Sequence, residues 1–379
     1  MAERPLASLA TPALLIDQRR FDDNIDRLNR QLSHLGVPLR PHLKTVKNVE
    51  LARRMLRGYP GGATVSTLAE ADFFHAAGIT DLTYAVGIAP GRLPAVAERL
   101  RAGMQLTLIL DHPDMAEALV AFARAESIDF SVLIELDADG DRAGLRADDE
   151  RLLLTADILR DGGQGPMGVL VHAGGSYGCR GEAELTAMAE RERQTAVAAA
   201  ERLRQHGHAI EVVSVGSTPT ALFARDLRGV TEVRSGVYSC MDLVMVGLGV
   251  CAFDEVAISV LTEVIGHRRE AGELLVDAGW MALSGDRGTA SQPVDQGYGL
   301  VLDADHAALD PELIVRATNQ EHGIVARRDS QAIDLERFPI GTRLRILPNH
   351  ACATASQFEH FEWVEQGACT RLPRCRGWI

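Results

Sequence analysis

A histidine and a lysine, His42 and Lys44, lie two residues apart in the segment 39–47, at the end of the second predicted strand. An unprotonated lysine amine is the nucleophile that forms imines with carbonyl compounds. At the carboxyl end of a barrel strand, cationic neighbours and reduced solvation would lower the lysine pKa and favour that form. The segment therefore predicts an imine-forming Lys44, with ordinary surface positions for Lys44 and Lys47 as the alternative.

A turn of small residues, Gly216, Ser217 and Thr218, follows a predicted strand and precedes a predicted helix. Its backbone N–H groups, its hydroxyls and the positive end of the helix dipole form a cradle suited to a phosphate group. Capping of the helix by Ser and Thr is the alternative. Gly236 and Tyr238 follow the next predicted strand and are expected to supply further phosphate contacts.

His350 and Cys352 form a His-x-Cys pair near the end of the chain. On an extended strand, residues i and i+2 project to the same face, so the imidazole and the thiolate can hold one metal ion such as zinc. Two protein ligands would leave coordination positions open for water or substrate, as a catalytic site needs. A structural role for both residues is the alternative.

Two further strand ends carry polar side chains toward the same predicted barrel mouth. The loop 137–144 begins like a calcium loop but lacks the remaining ligands, so its predicted role is to present Arg142. The segment 172–177 ends another strand with His172 and Tyr177. Solvated or packed loop residues are the alternative for both segments.

The elements that must position these residues alternate between strand and helix from Leu14 to Val250. The pattern predicts a helix over 21–35 and strands over 13–17, 64–66, 82–86, 106–110, 131–136, 167–172 and 211–215. Strands separated by helices pair in parallel through crossovers, and about eight such units suit a closed (β/α)8 barrel. An open doubly wound sheet is the structural alternative.

The pattern changes after Ala252, where β-prone segments at 256–265, 273–276, 299–303, 323–326 and 342–347 are separated by Gly, Pro and Asp. The sequence therefore predicts an α/β protein of two domains. The first, over 10–252, is the barrel, and the second, over 253–379, is mainly β and carries the two metal ligands. An extension of the second domain by residues 1–9 stays open.

Composition excludes several classes of function. The net charge is −13, from 52 acidic and 39 basic residues, so neither nucleic acid nor an anionic membrane is expected as a partner. The N-terminal segment lacks a signal-peptide pattern, and no apolar run approaches the ~18–20 residues that span a bilayer. The six scattered cysteines predict reduced thiols and a cytoplasmic location.

Taken together, the segments resemble one known family. The motifs around Lys44, Gly216 and His350, with those at 277–280 and 319–323, occur in this order in D-serine dehydratase-like proteins. These are metal-activated members of the alanine-racemase-like class of pyridoxal 5'-phosphate (PLP) enzymes. They include D-threonine aldolases and D-threo-3-hydroxyaspartate dehydratases. The resemblance extends from Thr11 to Trp378.

The resemblance implies a role for each candidate residue. Lys44 matches the Schiff-base lysine that can act as base at Cα, and His42 in the same motif is the second catalytic candidate. The expected PLP-binding residues are Lys44, Arg142, His172, Tyr177, Gly216, Ser217, Thr218, Gly236 and Tyr238. His350 and Cys352 match the ligands of a divalent metal (Zn, Mn, Mg or Co). The chain is expected to form a homodimer with active sites near its interface.

The sequence also departs from the family pattern. Val46 occupies a position where the family often has His, so any role of that ring is absent here. The segment 239–241 replaces one that is often more aromatic, which would alter the substrate pocket. The group that faces the pyridine nitrogen of PLP is not assigned by the motifs.

The chemistry implied is that of a lyase acting on D-β-hydroxy-α-amino acids, with PLP as electron sink and the metal as Lewis acid at the β-hydroxyl. Cys352 favours dehydration to an oxo acid and ammonia, because the aldolases often have Asp there. D-serine, D-threonine and D-threo-3-hydroxyaspartate are the expected substrates. Retro-aldol cleavage to glycine and an aldehyde is the alternative; racemisation and non-catalytic PLP binding are disfavoured by the metal pair and the β domain.

Overall fold

The computed structural model describes residues 4–58, 62–140, 142–305 and 310–379. The strands are β1 (Arg4–Pro5), β2 (Ala13–Asp17), β3 (Leu39–Pro41), β4 (Ala63–Val65), β5 (Asp81–Gly87), β6 (Gln105–Leu110), β7 (Ser131–Leu136), β8 (Gly168–Val171), β9 (Val212–Val215), β10 (Glu232–Ser235), β11 (Ile258–Arg268), β12 (Glu273–Val276), β13 (Leu300–Asp303), β14 (Leu313–Thr318), β15 (Gly323–Arg327), β16 (Arg343–Leu347), β17 (His360–Glu365) and β18 (Ala368–Pro373). The helices are α1 (Gln18–Leu35), α2 (Val49–Met55), α3 (Leu68–Ala76), α4 (Leu93–Arg101), α5 (Pro113–Glu126), α6 (Glu150–Asp161), α7 (Gly181–Gln205), α8 (Thr218–Phe223), α9 (Leu243–Gly247), α10 (Trp280–Leu283) and α11 (Ala351–Ala355).

Eight parallel strands form the predicted barrel, in the order β3-β10-β9-β8-β7-β6-β5-β4. The ring closes between its two end strands, where His42 bridges to Thr64 and the Leu43 N–H donates to the Thr64 carbonyl at 2.9 Å. The barrel is therefore confirmed over the open sheet. β6 and β8 are largely apolar because both faces of a parallel barrel strand are covered, and in β7 every residue after Ser131 is buried.

A second sheet has ten strands in the order β1-β18-β17-β2-β11-β12-β15-β14-β13-β16. β2, predicted as the first barrel strand, lies here instead, and that prediction is wrong. β2 pairs antiparallel with β11 and parallel with β17, so its buried residues belong to the core of this sheet. Lys44 consequently follows the first barrel strand in the chain, β3, and not the second.

The chain divides into two compact units. One comprises Met1–Asp26 and Val237–Arg374, and the other comprises Arg27–Gly236 and Cys375–Ile379. The first contains the ten-stranded sheet and the second the barrel. Pairing of β1 with β18 brings residues from the start of the described chain into the β unit.

All six cysteines lie within the described residues, and none of them forms a disulfide bond. Within the described ranges, no helix has the length and hydropathy needed to cross a membrane.

Candidate active site

The turn after β3 carries the only two lysines of the sequence, Lys44 and Lys47. The Lys47 ammonium lies 2.9 Å from a carboxylate oxygen of Glu70, which is fully buried on α3. Lys44 is exposed at the barrel end, so the expectation of reduced solvation around it was wrong: it lies beyond the strand, in a turn open to solvent. Because Lys47 is tied to Glu70, Lys44 is the lysine that remains for an imine.

His42 lies at the end of β3, beside this turn. Its Nδ1 accepts a hydrogen bond from the Lys44 backbone N–H at 3.5 Å, and its Nε2 lies 3.4 Å from the Ser66 hydroxyl. This arrangement places the ring proton on Nε2. Burial, followed by the positive charges of Lys44 and Arg234, holds the pKa of His42 well below its usual value. His42 is therefore a neutral ring next to the proposed Schiff-base lysine.

His172, at the end of β8, has the opposite tautomer. Its Nδ1 lies 3.0 Å from the carbonyl oxygen of Gly216, which can only accept, so Nδ1 carries the proton and Nε2 the lone pair. Burial lowers the pKa of His172 to about 3, and the charge of Arg142 acts in the same direction. The ring centre of Tyr177 is 6.4 Å from that of His172, so the predicted pair does lie together.

The turn after β9 has the features expected of a phosphate cradle. Gly216 has a φ of +135°, and a Cβ there would lie 2.1 Å from the Arg234 carbonyl oxygen, so only glycine fits. Ser217 caps α8 through Thr220, which confirms the capping alternative for the Ser217 side chain. The Thr218 hydroxyl is hydrogen-bonded to that of Ser235 at 2.8 Å, and both are buried. Glycine backbone and clustered hydroxyls suit a phosphate group, so the residues present fit PLP.

The remaining predicted PLP-binding residues, Gly236, Arg142 and Tyr238, lie on other elements than the loops after β8 and β9. Gly236 directly follows β10, and a Cβ there would lie 3.2 Å from His42. Arg142 is exposed, with its guanidinium 3.5 Å from the buried carboxylate of Glu135 on β7. Tyr238 is completely buried and belongs to the β unit.

The predicted metal pair lies in the β unit. The predicted extended strand is wrong, because His350 is the N-cap of α11 and Cys352 lies in its first turn. The two side chains nevertheless contact each other through a hydrogen bond. Within the described parts of the chain, no group of three His, Cys, Asp or Glu side chains is arranged to hold a metal. His350 and Cys352 as a metal pair stay a prediction.

Asp286, which the sequence did not single out, orients His350. Its carboxylate lies 2.9 Å from His350 Nδ1, so Nε2 is the ring nitrogen that remains for a metal. Burial opposes protonation of His350, but hydrogen bonds to Asp286 and Cys352 prevail and raise its pKa to about 11. The surroundings thus favour positive charge at this ring. Imidazole and thiolate are donors that suit a transition metal, so the residues fit the expected cation.

Two more carboxylates were missed, Glu70 and Glu192, and both had a signal in the sequence. Glu70 is the last residue of a Thr-x-x-Glu pattern that starts at the α3 N-cap, Thr67. Glu192 occupies a position of the buried stripe of α7, between Ala189 and Ala196. A charged residue at helical spacing within an apolar stripe is unusual enough to mark a specific contact.

A parallel barrel with a lysine turn and a phosphate-type cradle, followed by a β unit, defines an alanine-racemase-like protein. Residues 16–243 match the family model "Alanine racemase, N-terminal domain", and residues 257–364 match "Putative serine dehydratase domain". The chain belongs to this family of alanine-racemase-like proteins with a serine dehydratase domain, and membership implies PLP and a divalent metal.

Known proteins are similar over nearly the whole chain. The D-threo-3-hydroxyaspartate dehydratase of Delftia sp. strain HT23 is 50% identical, over 98% of this chain and 99% of its own. The D-serine dehydratase of Dictyostelium discoideum is 29% identical, over 94% of each chain. A solved structure of a D-threo-3-hydroxyaspartate dehydratase, a cysteine-to-alanine mutant in the metal-free form, is 50% identical and has a TM-score of 0.97 over 99% of this chain and 100% of its own.

Proposed function

We propose that this chain is a PLP- and divalent-metal-dependent lyase that dehydrates D-β-hydroxy-α-amino acids to an oxo acid and ammonia. The observation that carries the proposal is the turn after β3. It holds the only two lysines of the sequence, and Lys47 is occupied by Glu70 at 2.9 Å. Lys44 is thus available as the Schiff-base residue at the barrel end, where catalytic groups of this architecture lie.

The barrel residues would bind PLP and move a proton. When bound, PLP supplies the electron sink that stabilises negative charge at the substrate Cα. Lys44 would hold the cofactor through its amine, and the same amine, when not bonded to the cofactor, would be the base that takes the Cα proton. His42 and His172 stay neutral beside it, so they orient groups through hydrogen bonds without adding positive charge.

The β-unit residues would bind the metal. His350 and Cys352 are its ligands, and Asp286 fixes the imidazole so that Nε2 points to the metal. When bound, the metal supplies a Lewis acid that helps a β-hydroxyl to depart. The imidazole and thiolate pair favours zinc among Zn, Mn, Mg and Co. The solved relative with a cysteine-to-alanine change in metal-free form supports the assignment of Cys352.

The similar proteins support dehydration over aldol cleavage, since the two relatives described above, at 50% and 29% identity, are named dehydratases, whereas a D-threonine aldolase of Arthrobacter sp. is 27% identical. By the same similarity, D-threo-3-hydroxyaspartate is the first substrate to test, followed by D-serine and D-threonine. We further propose a homodimer, supported by the family resemblance, and a cytoplasmic location, supported by six cysteines that form no disulfide bond.

Product analysis tests the proposal. The purified protein with PLP and zinc or manganese is expected to release ammonia and an oxo acid from at least one of the three substrates. Glycine with an aldehyde would instead establish an aldolase. Inversion at Cα without release of ammonia or glycine would establish a racemase. Lys44→Arg should abolish turnover, whereas its matched control Lys47→Arg keeps the cation beside Glu70 and should retain it. Cys352→Ala should lose metal and activity, and Cys369→Ala, a buried thiol of the same unit, should keep both.

A further inference from the structure

One buried carboxylate in the barrel unit is used by none of the steps above. Glu192 lies on the inner face of α7, with 2% of its surface exposed. The other buried residues on this face of the helix are all Leu or Ala, so Glu192 is its only charged residue. A carboxyl group in such surroundings is unfavourable unless its oxygens accept hydrogen bonds. The hydrogen-bond partners of the Glu192 carboxylate therefore indicate its role.

Those partners belong to two different loops. One oxygen of Glu192 accepts the backbone N–H of Ala173 at 2.8 Å and that of Gly216 at 3.1 Å. The Thr220 hydroxyl is also hydrogen-bonded to the Glu192 side chain. Ala173 starts the loop after β8, and Gly216 starts the turn after β9. Glu192 thus ties the two strand ends together from behind.

The tied loops carry most of the candidate PLP-binding residues. The loop after β8 presents His172 and Tyr177, and the turn after β9 presents Gly216, Ser217 and Thr218. Two further contacts join the same loops: His172 with the Gly216 carbonyl, and the Ser176 hydroxyl with that of Ser217 at 3.0 Å. The hydrogen bonds of Glu192 therefore help to fix the position of the turn 216–218 relative to the loop after β8.

Burial raises the pKa of Glu192 above its usual value, although the hydrogen bonds from Thr220, Ala173 and Gly216 oppose this. A carboxyl group that tends toward its neutral form adds little negative charge behind a turn that must accept an anion. Glutamine has the same shape and keeps one carbonyl oxygen, so it reproduces the acceptor without the charge.

We infer that Glu192 is a positioning residue for the cofactor phosphate: by accepting the Ala173 and Gly216 N–H groups it holds the turn 216–218 in its phosphate-binding shape. The inference rests on the proposed function, because it takes PLP to be the cofactor. It concerns recognition of the phosphate group alone and not the imine at Lys44.

The discriminating experiment compares PLP with pyridoxal, which has the same aldehyde and ring but no phosphate. Both are titrated into full-length protein freed of cofactor with hydroxylamine, followed by absorbance. Glu192→Met keeps the side-chain length but removes the acceptor. It should raise the Kd for PLP about 10- to 100-fold, since two buried N–H groups lose their partner. The Kd for pyridoxal should change less than about threefold.

Two controls separate positioning from general stability. Glu192→Gln should keep the wild-type Kd for both compounds. Leu203→Ala removes a buried side chain of the same helix, about 16 Å further along, and should lower stability without changing either Kd. An unchanged Kd for PLP in Glu192→Met, or an equal loss for both compounds, would overturn the inference.

If Glu192→Met does not fold, Glu192→Asp serves instead, because its shorter side chain withdraws the carboxylate from the two N–H groups. The same phosphate-specific loss is expected, and wild-type affinity for PLP would overturn the inference. Failure of the proposed function has a separate signature: borohydride reduction of the wild type with PLP would then leave no adduct on Lys44.

Discussion

Replacing Lys47 by methionine should destabilise the barrel unit more than replacing its partner Glu70 by glutamine. The ammonium and the carboxylate are 2.9 Å apart, with 22% of the Lys47 side chain exposed and none of Glu70. Lys47→Met leaves a buried carboxylate without its counter-ion, which costs about 3–5 kcal/mol. Glu70→Gln leaves a lysine that can turn toward water, and the expected cost is about 1–2 kcal/mol.

The free-energy cost of Glu70→Gln also depends on a hydrogen bond from the backbone. The second carboxylate oxygen of Glu70 accepts the Ser66 N–H at 2.9 Å, and a glutamine side chain can keep only one of the two interactions. The double variant removes both charges together, so its cost should be smaller than the sum of the single costs by about 2–3 kcal/mol.

The assay is urea unfolding of the four proteins, giving a free energy of unfolding for each. A matched surface control is Asp23→Asn, which breaks the exposed pair with Arg19 (3.7 Å) and should cost less than about 0.5 kcal/mol. Equal costs for Lys47→Met and Glu70→Gln, with additivity in the double variant, would refute the reasoning. Because Lys47 is three residues from Lys44, the fraction of Lys44 trapped by PLP and borohydride should fall most in Lys47→Met.

Two other predictions concern the metal and the response to acid. Asp286→Asn should lower metal affinity about 10- to 100-fold, measured by competition with a chelator, because His350 loses the group that orients its ring. The half-buried Asp295→Asn, which breaks the ion pair with Arg287, is the control, and unchanged affinity in Asp286→Asn would contradict the role of Asp286. Burial lowers the pKa of His172 from its ordinary value of 6.5 to about 3 in the folded chain, so between these values the unfolded chain binds a proton that the folded chain does not, and stability falls as pH falls through that window. In His172→Gln apoprotein, the slope of unfolding free energy against pH should flatten there by up to about 1.4 kcal/mol per unit, and an unchanged slope would show that His172 titrates normally.

Much of the barrel could be predicted because strand and helix alternate with little irregularity. In the barrel, β7 has the predicted bounds, Ser131–Leu136, and in the ten-stranded sheet β12 has the predicted bounds, Glu273–Val276. The alternating pattern did not assign β2 to the correct sheet. A strand buried on both faces has the same apolar pattern in a barrel as in the ten-stranded sheet. Only the pairing of β2 with β11 and β17, which are distant in the chain, distinguishes the barrel from the ten-stranded sheet. The local sequence pattern does not determine such long-range pairing.

The metal pair shows a different limit. The sequence predicted that His350 and Cys352 lie together, and they do, but for the wrong local reason. The segment after His350 is Ala-Cys-Ala-Thr-Ala, which contains good helix formers and becomes α11. At a helix N-terminus the N-cap and the second helical residue can also approach each other, so contact alone does not reveal the backbone conformation.

The three carboxylates that sequence reasoning missed share a physical property. Glu70, Glu192 and Asp286 bind other parts of the protein: a lysine, two backbone N–H groups and an imidazole. Candidate residues were chosen by what they would do to a ligand, so groups that act on the protein itself were not selected. Their partners are distant in sequence, yet the buried stripe of α7 already isolates Glu192 as its only charged member. In a barrel of this kind, an acid within the apolar stripe of a helix is therefore the sequence signal to follow toward the residues that position the site.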